Sequence, residues 1–110
     1  MAGTWPPPPD LASIGELVAA ADVEGFLLDG APLDEYEAEA EKIFEAIGHF
    51  PTAELVPERL MPILEGVWQE SFALNDDQIE GRRSELRGLA DQIARFFGPE
   101  AQPTVRNGTA

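Results

Sequence analysis

Cysteine is absent from this chain of 110 residues, and histidine occurs only once. Without cysteine the chain can form no disulfide, thiolate nucleophile or cysteine-ligated cluster. The single histidine, His49, cannot build a histidine-based zinc site on its own. Serine, histidine and aspartate also show no recognisable nucleophile motif. The sequence therefore predicts no catalytic residue, no metal and no cofactor, and we expect a protein that is not an enzyme.

Long apolar runs are also missing, since none approaches the roughly 20 residues that a membrane-spanning helix needs. Residues 1–10 have neither the basic nor the apolar region of a signal peptide. We therefore expect a cytoplasmic protein that does not enter a membrane.

Basic residues are scarce, with 7 lysines and arginines against 21 acidic residues and a formal net charge of −14. Such a surface repels the phosphates of nucleic acids and anionic lipids. It favours a basic protein partner, a cation, or solubility alone. The imbalance lies mainly in the first half, because residues 1–55 hold 12 acidic residues and one basic residue.

Apolar residues make up 44% of the chain, as in a globular domain. They recur at helical spacing and nowhere alternate with polar residues over the length of a strand, which predicts an all-α fold. We expect an irregular bundle of about four main helices plus short helical turns. The single helical domain should cover residues 10–98, between a disordered proline-rich arm (1–9) and a flexible tail (99–110).

Capping residues predict where the helices of the first half begin and end. Asp10 should cap a helix over Leu11–Ala21. Asp34 and Glu37 have the spacing of a capping box for a second helix, which should end at Gly48. Thr52 should cap a short turn.

In the second half, proline and asparagine likewise predict where the helices begin. Pro57 suits the start of a helix, but Pro62 is tolerated only in a first turn. We therefore expect a short helix at Pro57 and a second one from about Leu60. Asn75 and Gln78 then form a capping box for a last helix that should continue to Phe97.

The segment Gly30-Ala31-Pro32-Leu33-Asp34-Glu35-Tyr36 is the most distinctive motif. It has a structural explanation, since Gly30 can turn the chain and Tyr36 can anchor the helix in the core. With Asp22 upstream and Arg95-Phe96-Phe97-Gly98 near the end, it resembles a family of small bacterial proteins known only as a domain of unknown function. The similarity covers residues 22–47 and, less closely, 84–98. The resemblance implies a small helical fold and no established activity.

The same segment and the helix after it supply the candidate partner-binding residues, which are Asp34, Glu35, Tyr36, Glu37, Glu41 and Glu45. Their acids favour a module that binds a basic protein, as an immunity or inhibitor protein does. Two alternatives stay open. One is a self-associating structural protein without catalytic activity that forms a homodimer. The other is a cation-dependent regulator or hydrolase that uses the acidic loop of Asp22, Glu24, Asp29, Asp34 and Glu35.

Arg82 falls on the apolar side of the last helix, where a charge should be paired. We expect it to form a structural ion pair with Asp34 or Glu35. On another side of that helix, Gly81, Ser84 and Gly88 form a stripe of small residues. Such a stripe permits the close approach of another helix, within the chain or across a dimer.

Overall fold

The computed structural model describes residues 9–32, 34–99 and 101, and within them the chain is all-helical. Its α-helices are α1 (Leu11–Ala21), α2 (Glu37–Ile47), α3 (Pro57–Phe72), α4 (Asp76–Glu80) and α5 (Arg83–Phe97), with a 3₁₀ turn at Thr52–Glu54. The predicted fold class is confirmed. The predicted arm and tail lie outside the described residues except for Pro9, Pro99 and Ala101, and Pro9 is buried.

The four long helices form a closed ring of contacts, in which α1 packs on α2, α2 on α3, α3 on α5, and α5 on α1. The apolar face of each helix points inward, and the four faces together form one hydrophobic core. The side chains that are no more than 2% exposed are Ile14, Val18, Tyr36, Ala40, Ile43, Ile47, Leu55, Leu60, Leu64, Trp68, Leu86, Leu89, Ala90, Ile93 and Phe97.

The two helix starts that depend on aspartate differ from each other. Asp10 caps α1, because its carboxylate accepts from the amide of Ser13 at 2.8 Å. The predicted cap at Asp34 is wrong, since α2 begins after Tyr36 with no side-chain cap. Asp34 lies one turn earlier, where its carbonyl rather than its carboxylate accepts from the amide of Glu37. Gly48 ends α2 as predicted.

Prolines do not divide the second half as predicted. The 3₁₀ turn forms, but Thr52 does not cap it and the residue before it is Pro51. Pro57 starts α3 and Pro62 lies inside it, in one continuous helix. An exposed position accommodates the proline, because the missing hydrogen bond then leaves the carbonyl of Glu58 within reach of water.

The last predicted helix is interrupted at Gly81 and Arg82. Its predicted start is confirmed, because Asn75 and Gln78 form a complete capping box. Gly81 then ends α4, and Arg82 is the residue before α5. Glycine weakens a helix interior, so a break at Gly81 agrees with its low helix propensity. Gly81 therefore lies between α4 and α5, and the predicted stripe does not run along one continuous helix.

Candidate functional site

A network of polar side chains ties the loop after α1 to three other elements. Asp22 takes a left-handed backbone conformation at the end of α1 and turns its carboxylate into the loop. That carboxylate accepts from the amides of Leu27 and Leu28, both at 3.0 Å. It also accepts from the hydroxyl of Tyr36 at 2.7 Å, and the same hydroxyl accepts from the amide of Glu24 at 3.0 Å. The loop is thereby held against the start of α2.

Glu24 extends this network to α3 and to the start of α5. One carboxylate oxygen accepts from the indole nitrogen of Trp68 at 2.9 Å and from Nε of Arg82 at 2.7 Å. The other oxygen accepts from a terminal nitrogen of Arg82 at 3.0 Å. The Glu24 side chain is only 8% exposed, and both of its oxygens have partners. This is a bidentate, charge-assisted pair that joins residues 58 positions apart.

Aromatic rings surround the network on its inner side. The ring of Tyr36 stacks between those of Phe26 and Trp68, at centroid distances of 5.7 and 6.1 Å. Phe72 completes the group beside Phe26 and Trp68. Trp68 is fully buried, so it is a core residue rather than an exposed platform for binding.

The contacts shift the pKa values of three groups in the network. Partial burial alone would raise the pKa of Asp22, but hydrogen bonds from Tyr36 and the loop amides lower it below its ordinary value. Burial and the bond to Asp22 raise the pKa of Tyr36 to about 12. The hydrogen bonds to Glu24 outweigh burial and raise the pKa of Arg82. Each shift favours the protonation state that the fold uses, so the network is a structural tie.

The expected partner of Arg82 is corrected by this geometry. Arg82 does pair with an acid of the first half, but that acid is Glu24, whereas Asp34 and Glu35 lie exposed in the turn before α2. Glu24 lies in a loop that no periodicity orients. Sequence reasoning therefore identified the need for a partner but not the residue.

The candidate binding residues separate into one buried side chain and one exposed face. Tyr36 is buried in the core and cannot meet a partner through its ring. The exposed residues Asp34, Glu35, Glu37, Glu41 and Glu45 form what we call the acidic face. Glu37, Glu41 and Glu45 follow each other at intervals of four, so they lie in one row along α2.

The acidic face is not neutralised by the described part of the chain. Lys42, Arg59, Arg82, Arg83 and Arg87 all pair with acids outside this face. Lys42, on α2 itself, turns away to Ser71 and Glu70 of α3. Among residues 9–32, 34–99 and 101, no ion pair involves any member of the face.

Glu39 differs from the other glutamates of α2. Its side chain is only 7% exposed. On a helical wheel Glu39 lies toward α3, on the same side as Ala46 and Lys42, whereas the acidic row lies on the opposite flank. No hydrogen bond or ion pair to Glu39 occurs within the described residues.

A shallow apolar groove runs between α1 and α2, beside the acidic face, with a volume of about 730 Å³. Its lining residues are Leu11, Ala12, Gly15, Glu16, Ala19, Asp34, Tyr36, Glu37 and Ala40. Asp34 and Glu37 thus belong both to the groove and to the acidic face.

Other uses of the acids find less support in the geometry. In the part of the chain that the structure describes, no three histidine or acidic side chains are grouped closely enough to hold a metal ion. Asp22 and Glu24, which the sequence places in an acidic loop, already accept hydrogen bonds from the protein. No helix of the described residues has the length and apolarity to cross a membrane.

Comparison of the chain with protein-family models, curated proteins and solved structures gave no match. The similarity of the Gly30–Tyr36 segment to the small bacterial family stays a prediction.

Proposed function

We propose that this protein is a protein-binding module that masks a basic surface of its partner, as an immunity or inhibitor protein does. The observation that carries the proposal is the acidic face, whose five exposed carboxylates have no cationic partner among the described residues. Opposite charge on a partner would steer encounter and speed association, and salt would weaken both.

The position of the face on a helix supports this proposal. Helix α2 is fixed on both sides, by α1 and by α3. Successive glutamates of the row therefore keep a spacing of about 6 Å along the helix axis without further ordering of the backbone. Because the backbone of the row is already ordered, binding costs only the rotamer freedom of the glutamate side chains.

Capture from a native lysate tests the proposal when two charge-matched variants are compared with the unaltered chain. The first variant carries Glu37→Gln, Glu41→Gln and Glu45→Gln. The second carries Asp29→Asn, Glu58→Gln and Asp77→Asn, at exposed positions outside the face. We expect the unaltered chain and the second variant to retain the same basic protein stoichiometrically at low salt and to release it at high salt.

The first variant should fail to retain that protein. An equal loss of that protein from both variants would assign the binding to net charge rather than to the acidic face, and full retention by both would show that the face does not bind it. If no stoichiometric partner is recovered at low salt, the proposed function is wrong.

A further inference from the structure

The groove between α1 and α2 is lined mainly by small side chains. On α1, Ala12, Gly15 and Ala19 face it, and Ala40 faces it from α2. A Cβ atom built on Gly15 would meet no atom within 4 Å, so the space above this residue is open. Leu11, at one end of the groove, is 38% exposed although it is a large apolar residue. Small residues at such a place let another backbone approach closely.

Acidic residues lie along both edges of this apolar groove. Glu16 is exposed on α1, and Asp34 and Glu37 are exposed on the side of α2. An occupant must therefore present apolar groups to the floor and positive charge to both edges. The two requirements together describe one chemical class of partner.

We propose that the groove is the docking site of a basic amphipathic helix that belongs to a protein partner. Leu11 and Ala19 are eight residues apart, so the groove follows α1 for about 12 Å, or two helical turns. A helix of the partner can fill that length with apolar residues at positions i, i+4 and i+7, and lysines or arginines beside them reach Glu16, Asp34 and Glu37. Small-molecule sites, in contrast, have polar groups that converge inside the cavity. Here the carboxylates stand at the edges.

This inference rests on the proposed function and adds to it the place of contact and the form of the partner. It also makes the acidic face and the groove parts of one surface, because Asp34 and Glu37 belong to both.

Two synthetic peptides of 15 residues serve as probes for the full chain. Both contain the same leucines, lysines and alanines. In one, the leucines recur at i, i+4 and i+7 between lysines, and in the other the same residues are ordered so that no apolar face forms. In fluorescence anisotropy at low salt, we expect the amphipathic peptide to bind at least tenfold more tightly than its isomer. Equal affinities would overturn the inference, because charge alone would then explain binding.

Leucine substitutions at two helical glycines, each with open space beside it, test where the amphipathic peptide binds. Gly15→Leu fills the groove, and Gly66→Leu is the matched control on an exposed position of α3 that is also open. We expect Gly15→Leu to weaken the amphipathic peptide at least tenfold and Gly66→Leu to change its affinity less than twofold. Circular dichroism checks that both variants fold.

Amide chemical-shift mapping on the unaltered chain gives a second measurement that needs no variant. The peptide should perturb Gly15, Ala19 and Ala40, and perturbations confined to α3 and α5 would overturn the inference. A dimer that Gly15→Leu dissociates would also overturn it, because a second copy would then occupy the groove. Nuclear Overhauser contacts between Gly15 and residues 1–8 would do the same for the chain's own N-terminal segment.

The two proposals fail in different ways in the lysate capture. If Gly15→Leu still retains the basic partner that the triple glutamine variant loses, the groove is not the docking site and the proposed function stands. If neither substitution changes what is retained, the proposed function fails as well.

Discussion

The hydroxyl of Tyr36 lies in a setting that favours its protonated form. Burial and the bond to Asp22 raise its pKa to about 12, whereas an unperturbed tyrosine titrates near 10. The unfolded chain therefore loses this proton first as the pH rises. By linkage, the stability that the neutral hydroxyl provides is complete below about pH 10 and is lost as the pH rises toward about 12.

Because Tyr36 is the only tyrosine of the chain, phenolate absorbance measures its ionisation directly. We expect the absorbance change near pH 12 in the folded protein and near pH 10 in denaturant. Asp22→Asn should lower the pKa in the folded protein, because the neutral amide no longer opposes a nearby phenolate. If the folded protein titrates near 10, the hydroxyl is not held as described.

The ion pair between Glu24 and Arg82 should matter more for stability than the ion pairs at the surface. Glu24→Gln leaves the guanidinium of Arg82, whose side chain is only 33% exposed, without its charged partner. We expect a loss of about 2 kcal/mol in the free energy of unfolding, measured with urea. The control is Glu65→Gln, which removes one partner of the more exposed Arg83 and should cost less than about 0.5 kcal/mol. Equal losses would contradict a special role for Glu24.

Single residues were predictable where the interaction is local. The carboxylate of Asp10 and the amide of Asn75 bond within three residues, so a sequence pattern contains both partners. Glu24 and Arg82 meet across 58 positions. The sequence indicates that a charge on the apolar side of a helix needs a partner, but the loop that supplies it is placed by the packing of Phe26 and Tyr36.

At the scale of the element, α3 contains a residue that should weaken it. Pro62 is the sixth residue of the helix, where it removes one hydrogen bond and opposes the carbonyl of Glu58. The proline itself is exposed and takes no part in the core. Its neighbours Leu60 and Leu64 are fully buried, and their packing keeps this part of the chain helical. Tertiary contacts thus override a local preference, which is why the sequence predicts two helices here and the protein forms one.

Replacing this proline should therefore stabilise the protein. Pro62→Ala restores a helical amide, and we expect the free energy of unfolding to rise by roughly 1–2 kcal/mol. This is less than the full propensity difference of about 3 kcal/mol, because alanine also frees the unfolded chain. Pro57→Ala is the control, since proline is favoured at the first position of a helix and its loss should give no gain. Thermal or urea unfolding of both variants decides the matter, and a loss of stability in Pro62→Ala would contradict this account.

At the scale of the whole molecule, the charge is arranged differently from its sequence distribution. Among the described residues, Arg83 and Arg87 of the second half pair with acids of the same half, which are Glu65 and Glu80 for Arg83 and Asp91 for Arg87. Within the described residues, ion pairs between the two halves join Arg82 to Glu24, Lys42 to Glu70 and Arg59 to Glu54. The acidity of the first half therefore stays on the outside, on the acidic face. The fold class, most helices and the acidic members of this face followed from the sequence, but the structure was needed to show that no described cation pairs with them.

An acidic face kept for binding should reduce the stability of the free protein. Glu41 and Glu45 are like charges one turn apart, and Glu45 lies near the negative end of the α2 dipole. Glu41→Gln with Glu45→Gln should therefore raise stability at low salt by about 0.5–1 kcal/mol, or a few degrees in Tm. In 1 M NaCl the Debye length is about 3 Å and the gain should disappear.

The control pair is Asp29→Asn with Glu58→Gln, which makes the same change in net charge. It should give no gain, because Glu58 lies in the first turn of α3, where a negative charge is favourable. Equal gains from both pairs would mean that net charge alone governs stability, and that repulsion within the acidic face does not destabilise the protein.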